Sequence, residues 1–180
     1  MIDIKNFKTY SVSNFLIAIC FIVTAIVISI PEYYIYWINS LFLQHWLYWV
    51  FLFQMFAWVF MHWWIMHLVA NSLFIYLFWN IVEEVIWIKK YILFFILSTI
   101  ITGCILVFFT NGTTVWISWF ATALLWFYTS QLYKIWNSDY KWWITAIIIN
   151  IWIWFAPWIS LIGHLSGVFI WIIYWYIYKK

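Results

Sequence analysis

The chain has 180 residues, 69% of them hydrophobic and 7% charged, with a formal net charge of +3 and a mean hydropathy of +1.02. An ordinary soluble domain is about 25% charged, so this composition excludes one and predicts a single-domain polytopic membrane protein. No basic cluster points to nucleic acid, and the partner implied at this stage is the lipid bilayer.

Hydropathy predicts six helical spans of the length a bilayer core requires. The first covers 14–30 and follows Lys5 and Lys8; no small-residue cleavage site comes after it, so an uncleaved span is expected and not a signal peptide. Residues 31–61 follow, including YYIYWINSLFLQHWLYWVFLFQMF. This stretch is too apolar to be a solvated loop. Pro31, Asn39 and Gln44 argue against another span, and the predicted form is an interfacial, partly helical segment against the outer leaflet. His45 belongs to that segment. Spans are then expected at 62–82, 91–110, 114–133, 142–156 and 160–178, with short outer connections at 111–113 and 157–159.

Lysine placement tests this order. Lys5 and Lys8 precede the first span, Lys89 and Lys90 join the second to the third, Lys134 and Lys141 join the fourth to the fifth, and Lys179 and Lys180 follow the sixth. These eight are all the basic residues, since arginine is absent. All fall on one side, which the positive-inside rule makes cytoplasmic, and both termini are expected there. The expected domain layout is a cytoplasmic N-terminus at 1–13 and a six-helix membrane domain at 14–178.

Spans two, four and six begin at the outer face, and the unusual polar residues lie near those beginnings: His67 and Asn71, Ser118, and His164. Polar groups at membrane depth are costly and point to function. Each also has a plain structural reading: a serine bonding its own helix backbone, a histidine satisfied inside the bundle, an asparagine joining helices. Their common depth on three helices favours chemistry. Serine needs a base to take its proton, and His164 is a candidate that requires no third residue. No Asp or Glu lies at that depth, so a dyad is expected. His67 and Asn71, about 40° apart round a helix, face one way and suit donors to an oxyanion, with the Ser118 backbone N–H.

A metal site is the rival use of the histidines. His62 and His67 lie about 140° apart on a helix, no HExxH is present, and Glu83 and Glu84 fall about 24 Å away. Those glutamates are expected to cap a helix, pair with Lys89 or Lys90, or fix the inner end of the bundle. Cys20 and Cys104 sit inside apolar runs and argue for neither a disulfide nor a metal. No cofactor is expected.

The segment FMHWWIMHLVANSLFIYLFWNIVEE resembles the second helix of rhomboid intramembrane serine proteases, with their HxxxN pattern. GHLSG around His164 is similar to the family's sixth-helix motif, and Ser118 and Ala123 fall where its GxSG nucleophile motif and a following alanine stand. The resemblance covers roughly 10–178. It implies an all-α, six-transmembrane-helix rhomboid-like bundle with a long interfacial first loop. It also implies Ser118 as nucleophile, His164 as general base, and His67 and Asn71 as oxyanion or support residues. The substrates it implies are transmembrane protein segments, cut near the top of a helix approached from the lipid. The family's WR loop motif is missing here, and Tyr48-Trp49 stands near its place.

Tryptophan stands where that family has glycine. Trp116 and Trp119 flank the nucleophile, Trp126 lies eight residues after it, and Trp171 seven after the histidine. Trp79, Trp87, Trp63 and Trp64 follow the same rule. The chain has 19 Trp and 4 Gly, whereas glycine is usually about 7% of residues. Ser118 and His164 are expected on facing helices, with Trp119 as a wedge that pushes the fourth span from the sixth and holds the two beyond hydrogen-bond reach. Two readings stay open. UGA codons that mean glycine in some bacterial lineages have been rendered as tryptophan, giving a protease of a bacterial inner membrane. Alternatively the tryptophans are literal, and the protein is a catalytically inactive rhomboid-like binder or escort of membrane helices. A transporter or channel would need a polar path that the spans scarcely offer.

Overall fold

A computed structural model describes residues 11–30, 32, 37–62, 64–110, 117–155 and 160–178. Among them the chain is helical, without strands. In order the helices are α1 (Val12–Ile28), α2 (Leu41–Gln44), α3 (Tyr48–Ala57), α4 (Ile65–Phe74), α5 (Asn80–Ile86), α6 (Ile88–Phe109), α7 (Ser118–Lys134), α8 (Tyr140–Trp154) and α9 (Leu161–Tyr178). A 3-10 turn, Trp58–Phe60, follows α3, and a π turn, Ile75–Trp79, joins α4 to α5. Within the six stretches expected as spans the helices are α1, α4 with α5, α6, α7, α8 and α9. Pro31, the connections at 111–113 and 157–159, and the terminal lysines lie outside the described residues.

Two of these helical runs, Ile65–Glu83 taken through the π turn and Ile88–Phe109, are long and apolar enough to cross a bilayer; Val12–Ile28, Tyr48–Phe60 and Leu161–Tyr176 are apolar but shorter. The expected interfacial segment is partly helical, as α2 and α3. Its larger side chains, among them Leu41, Trp46, Trp49, Leu52 and Phe56, turn outward. Two of its amides are buried instead: Asn39 Nδ2 and Gln54 Nε2 each donate to the Trp37 carbonyl at 2.8 Å, while Gln44 and His45 are exposed. The two buried amides tie this segment together.

Helix α7 forms the centre. Trp119 through Leu125, with Phe127, Thr129 and Leu132, are buried along it, and α9, α8, α6 and α4 all pack on it. The closest approach is to α9, where a Cβ added to Gly167 would run into the Trp119 carbonyl. Backbones meet there because nothing larger than hydrogen stands on the α9 side.

Glu83, 9% exposed, ties α5 to the start of α1. Its carboxylate accepts from the Val12 and Ser13 backbone N–H groups at 3.0 Å each and from Ser13 Oγ at 2.9 Å. Ser13 Oγ shares a further 3.0 Å bond with the Tyr91 hydroxyl. An acid on the free N–H groups of a helix start meets both their hydrogen-bonding need and the positive end of the helix dipole. Among the roles open to this glutamate in the sequence, capping is realised, and the helix capped is α1.

Four non-glycine residues take positive φ among the described residues: Glu32, Trp46, Trp87 and Trp136, at 62°, 63°, 65° and 55°. Trp136 follows the end of α7, where Asn137 N–H donates to the Leu132 carbonyl at 3.0 Å and Trp136 N–H to Tyr133 at 3.1 Å. The same pair closes α2 around Trp46: Leu47 N–H reaches the Phe42 carbonyl at 2.8 Å and Trp46 N–H reaches Leu43 at 3.3 Å. This is the Schellman closure, whose left-handed position belongs to glycine. Trp87, with ψ 138°, starts α6 from another region that a Cβ disfavours.

Candidate active site

Ser118 is the first residue of α7, where backbone N–H groups lack partners within the helix. His164 lies in the first turn of α9, 6% exposed. The close packing of α7 on α9 brings Ser118 Oγ to 3.3 Å from His164 Nε2. The expected separation of these two residues is therefore not found. Trp119 fails as a wedge because its indole points into the core, stacked on Trp58 at 5.9 Å and leaning on Phe120 at 5.4 Å. Only its backbone faces α9. Trp116 lies outside the described residues.

The other nitrogen of His164 has a partner that the sequence reading missed. Thr122 Oγ1, one turn below Ser118 on α7, lies 2.9 Å from His164 Nδ1. It is also 3.2 Å from the Ser118 carbonyl and 3.3 Å from Asn150 Oδ1 on α8. The signal was available in principle, since residues four apart share a helix face. Threonine at that place had no acid or amide within sight to mark it.

On α4, Asn71 Nδ2 lies 3.1 Å from His62 Nε2, and the rings of His62 and His67 meet edge to face at 5.6 Å. This corrects the 140° separation expected of these histidines. That figure assumed a helix from residue 62, whereas α4 begins at Ile65 and His62 folds back over it. His62 Nδ1 lies 3.5 Å from Thr24 Oγ1, and Thr24 also donates to the Phe60 carbonyl at 3.2 Å. His62 therefore links α1 to the polar face of α4. Among the described residues no group of three or more side chains is placed to hold a metal ion.

Four tryptophans put buried indole N–H groups where none has a hydrogen-bond partner among the described residues: Trp58, Trp119, Trp126 and Trp171. Trp126 on α7 and Trp171 on α9 also meet each other, ring centroids 5.2 Å apart. Each unpaired donor costs about 1–3 kcal/mol.

This arrangement can carry proton transfer from a hydroxyl to an imidazole beside the backbone N–H groups of a helix start. No individual curated protein matches the chain. The family model of the Rhomboid domain matches residues 45–180, from the interfacial segment to the last helix and including every residue of the site except His62's partner Thr24. The protein is an integral membrane protein, and the chain belongs to the rhomboid family.

Proposed function

We propose that the protein is an intramembrane serine endopeptidase that cuts transmembrane or membrane-proximal segments of other membrane proteins. The observation that carries this reading is the 3.3 Å approach of Ser118 Oγ to His164 Nε2, in a chain of a family built around such proteolysis. His164 Nε2 takes the Ser118 proton as Oγ attacks the scissile carbonyl carbon. The resulting oxyanion is held by the Ser118 backbone N–H at the start of α7, with His67 and Asn71 as further donors. Collapse of the intermediate breaks the C–N bond, and His164 gives its proton to the departing amine. Water, deprotonated by His164, then hydrolyses the Ser118 ester. On this reading the chain crosses a bacterial inner membrane six times, with both termini in the cytoplasm and this chemistry near the outer face; the one-sided lysines support that orientation.

We further infer that the functional polypeptide carries glycine at a large share of its 19 tryptophan positions, Trp116 and Trp119 among them. Support comes from three left-handed tryptophans, four buried indoles without partners, and Trp126 set against Trp171 where two close-packed helices would each present glycine. Replacing all of them would raise glycine to about 13%, suited to tightly packed membrane helices. The competing reading, an inactive relative that binds membrane helices, is favoured by Trp119 itself, whose indole is buried beside the nucleophile.

One experiment separates the readings. The coding DNA is read at codons 116 and 119, and both the tryptophan and the glycine forms are treated with a serine-reactive fluorophosphonate. TGA codons, with labelling of the glycine form that Ser118→Ala removes, are expected of the protease. TGG codons and no labelling in either form would establish the inactive relative.

A further inference from the structure

We propose that Thr122 is a positioning residue for His164: it fixes the imidazole tautomer through Nδ1, and Asn150 serves as an acceptor for its own hydroxyl proton. The proposal rests on the reading of His164 as the base. A neutral imidazole carries one N–H. For Nε2 to accept the Ser118 proton, the hydrogen must sit on Nδ1, and the atom facing Nδ1 must accept it. That atom is Thr122 Oγ1, at 2.9 Å.

A hydroxyl that accepts there must send its own proton elsewhere. Two acceptors are within reach, Asn150 Oδ1 at 3.3 Å and the Ser118 carbonyl at 3.2 Å. Thr122 is 1% exposed, so neither its orientation nor its partners are set by solvent. The β-branched side chain has few rotamers to choose from in a helix, and it lies in a buried stretch of α7.

The arrangement substitutes for the carboxylate that orients the base in a serine triad. Here a chain of neutral groups on three helices does the orienting: Ser118 and Thr122 on α7, His164 on α9, Asn150 on α8. When Nε2 takes the proton, the Nδ1 proton stays on nitrogen, and the Thr122 oxygen dipole faces the imidazolium. No net charge is buried to hold the base, which suits a site at membrane depth where a lone carboxylate would be costly.

The test reads the tautomer directly. The full chain, labelled with ¹⁵N-histidine in bilayers, gives separate Nδ1 and Nε2 shifts, and His164→Ala identifies the His164 signals. Nδ1–H is expected in the unchanged chain, with a shift toward Nε2–H in Thr122→Val and recovery in Thr122→Ser. Nε2–H in the unchanged chain would overturn the proposal without any variant. So would a folded Thr122→Val that keeps Nδ1–H.

Cleavage gives the second arm. Thr122→Val should lower kcat by about tenfold or more, short of the roughly 10²–10⁴ that a positioned base supplies, with KM unchanged and Thr122→Ser restoring most of the rate. A rise in KM alone would mark Thr122 as packing only and sink the proposal. If the protein proves inactive, the tautomer measurement still decides the matter, so failure of the protease reading and failure of this one remain distinct.

Discussion

Ser118→Ala and His164→Ala are each expected to abolish cleavage of a model transmembrane substrate, because each removes a group that forms or breaks a bond. Asn71→Ala should only weaken it, by no more than the ~2.7–4 kcal/mol that one oxyanion donor supplies, since other donors remain. Gel-based cleavage of a tagged substrate in proteoliposomes checks all three; robust turnover by Ser118→Ala would exclude the serine mechanism. These residues were legible because polarity at membrane depth is rare enough to be read from the sequence alone. Thr122 was not: a threonine in a membrane helix ordinarily bonds its own backbone, and only the position of α9 shows that its oxygen faces His164 Nδ1 at 2.9 Å. His62 was misplaced for a different reason. Helical periodicity was extended three residues too far, and a residue in the preceding turn obeys no helical angle. The direction of Trp119 could not be read either, because the same Cα that approaches α9 sends its side chain toward Trp58.

Helix ends carry the next set of expectations. Glu83→Gln keeps the shape of the α1 cap but removes the charge facing Val12 and Ser13. The loss should be about 0.5–2 kcal/mol, the range for an N-cap, read as a lower midpoint in thermal unfolding in detergent. An unchanged midpoint would show that the cap contributes nothing. The opposite sign is expected at the far end of α7. Trp136→Gly relieves a left-handed φ of 55° and should stabilise the protein by about 1–2 kcal/mol, while Leu132→Gly in the same turn should not. The sequence left three roles open for Glu83, of which the structure shows the cap on α1. It could not choose, because the groups needing a cap lie some 70 residues upstream. The α4–α5 region shows a similar limit: its apolar run is continuous, and nothing in its hydropathy announces the π turn at Ile75–Trp79.

For the molecule as a whole, the one-sided lysines predict both termini inside and residue 112 outside. With Cys20 and Cys104 replaced, a membrane-impermeant maleimide added to intact cells should modify Gly112→Cys and spare Ser138→Cys. The reverse pattern would overturn the six-span order. The helical, membrane-embedded character of the chain could be read in advance because composition and hydropathy act along the chain, whereas the depth of contact between α7 and α9 depends on which residues lack a side chain at their crossing. Gly167 and the Trp119 carbonyl illustrate the point, and further along the same two helices the rings of Trp126 and Trp171 meet. The Glu83 cap has a consequence for biogenesis. Helix α1 leaves the ribosome first, yet the carboxylate that completes its start is made about 70 residues later. At about 5–20 residues per second, the young first helix spends roughly 4–14 seconds with bare N–H groups before its partner exists. During that interval it must borrow water, lipid headgroups or the insertion machinery to satisfy them, and the arrival of α5 releases it from that dependence.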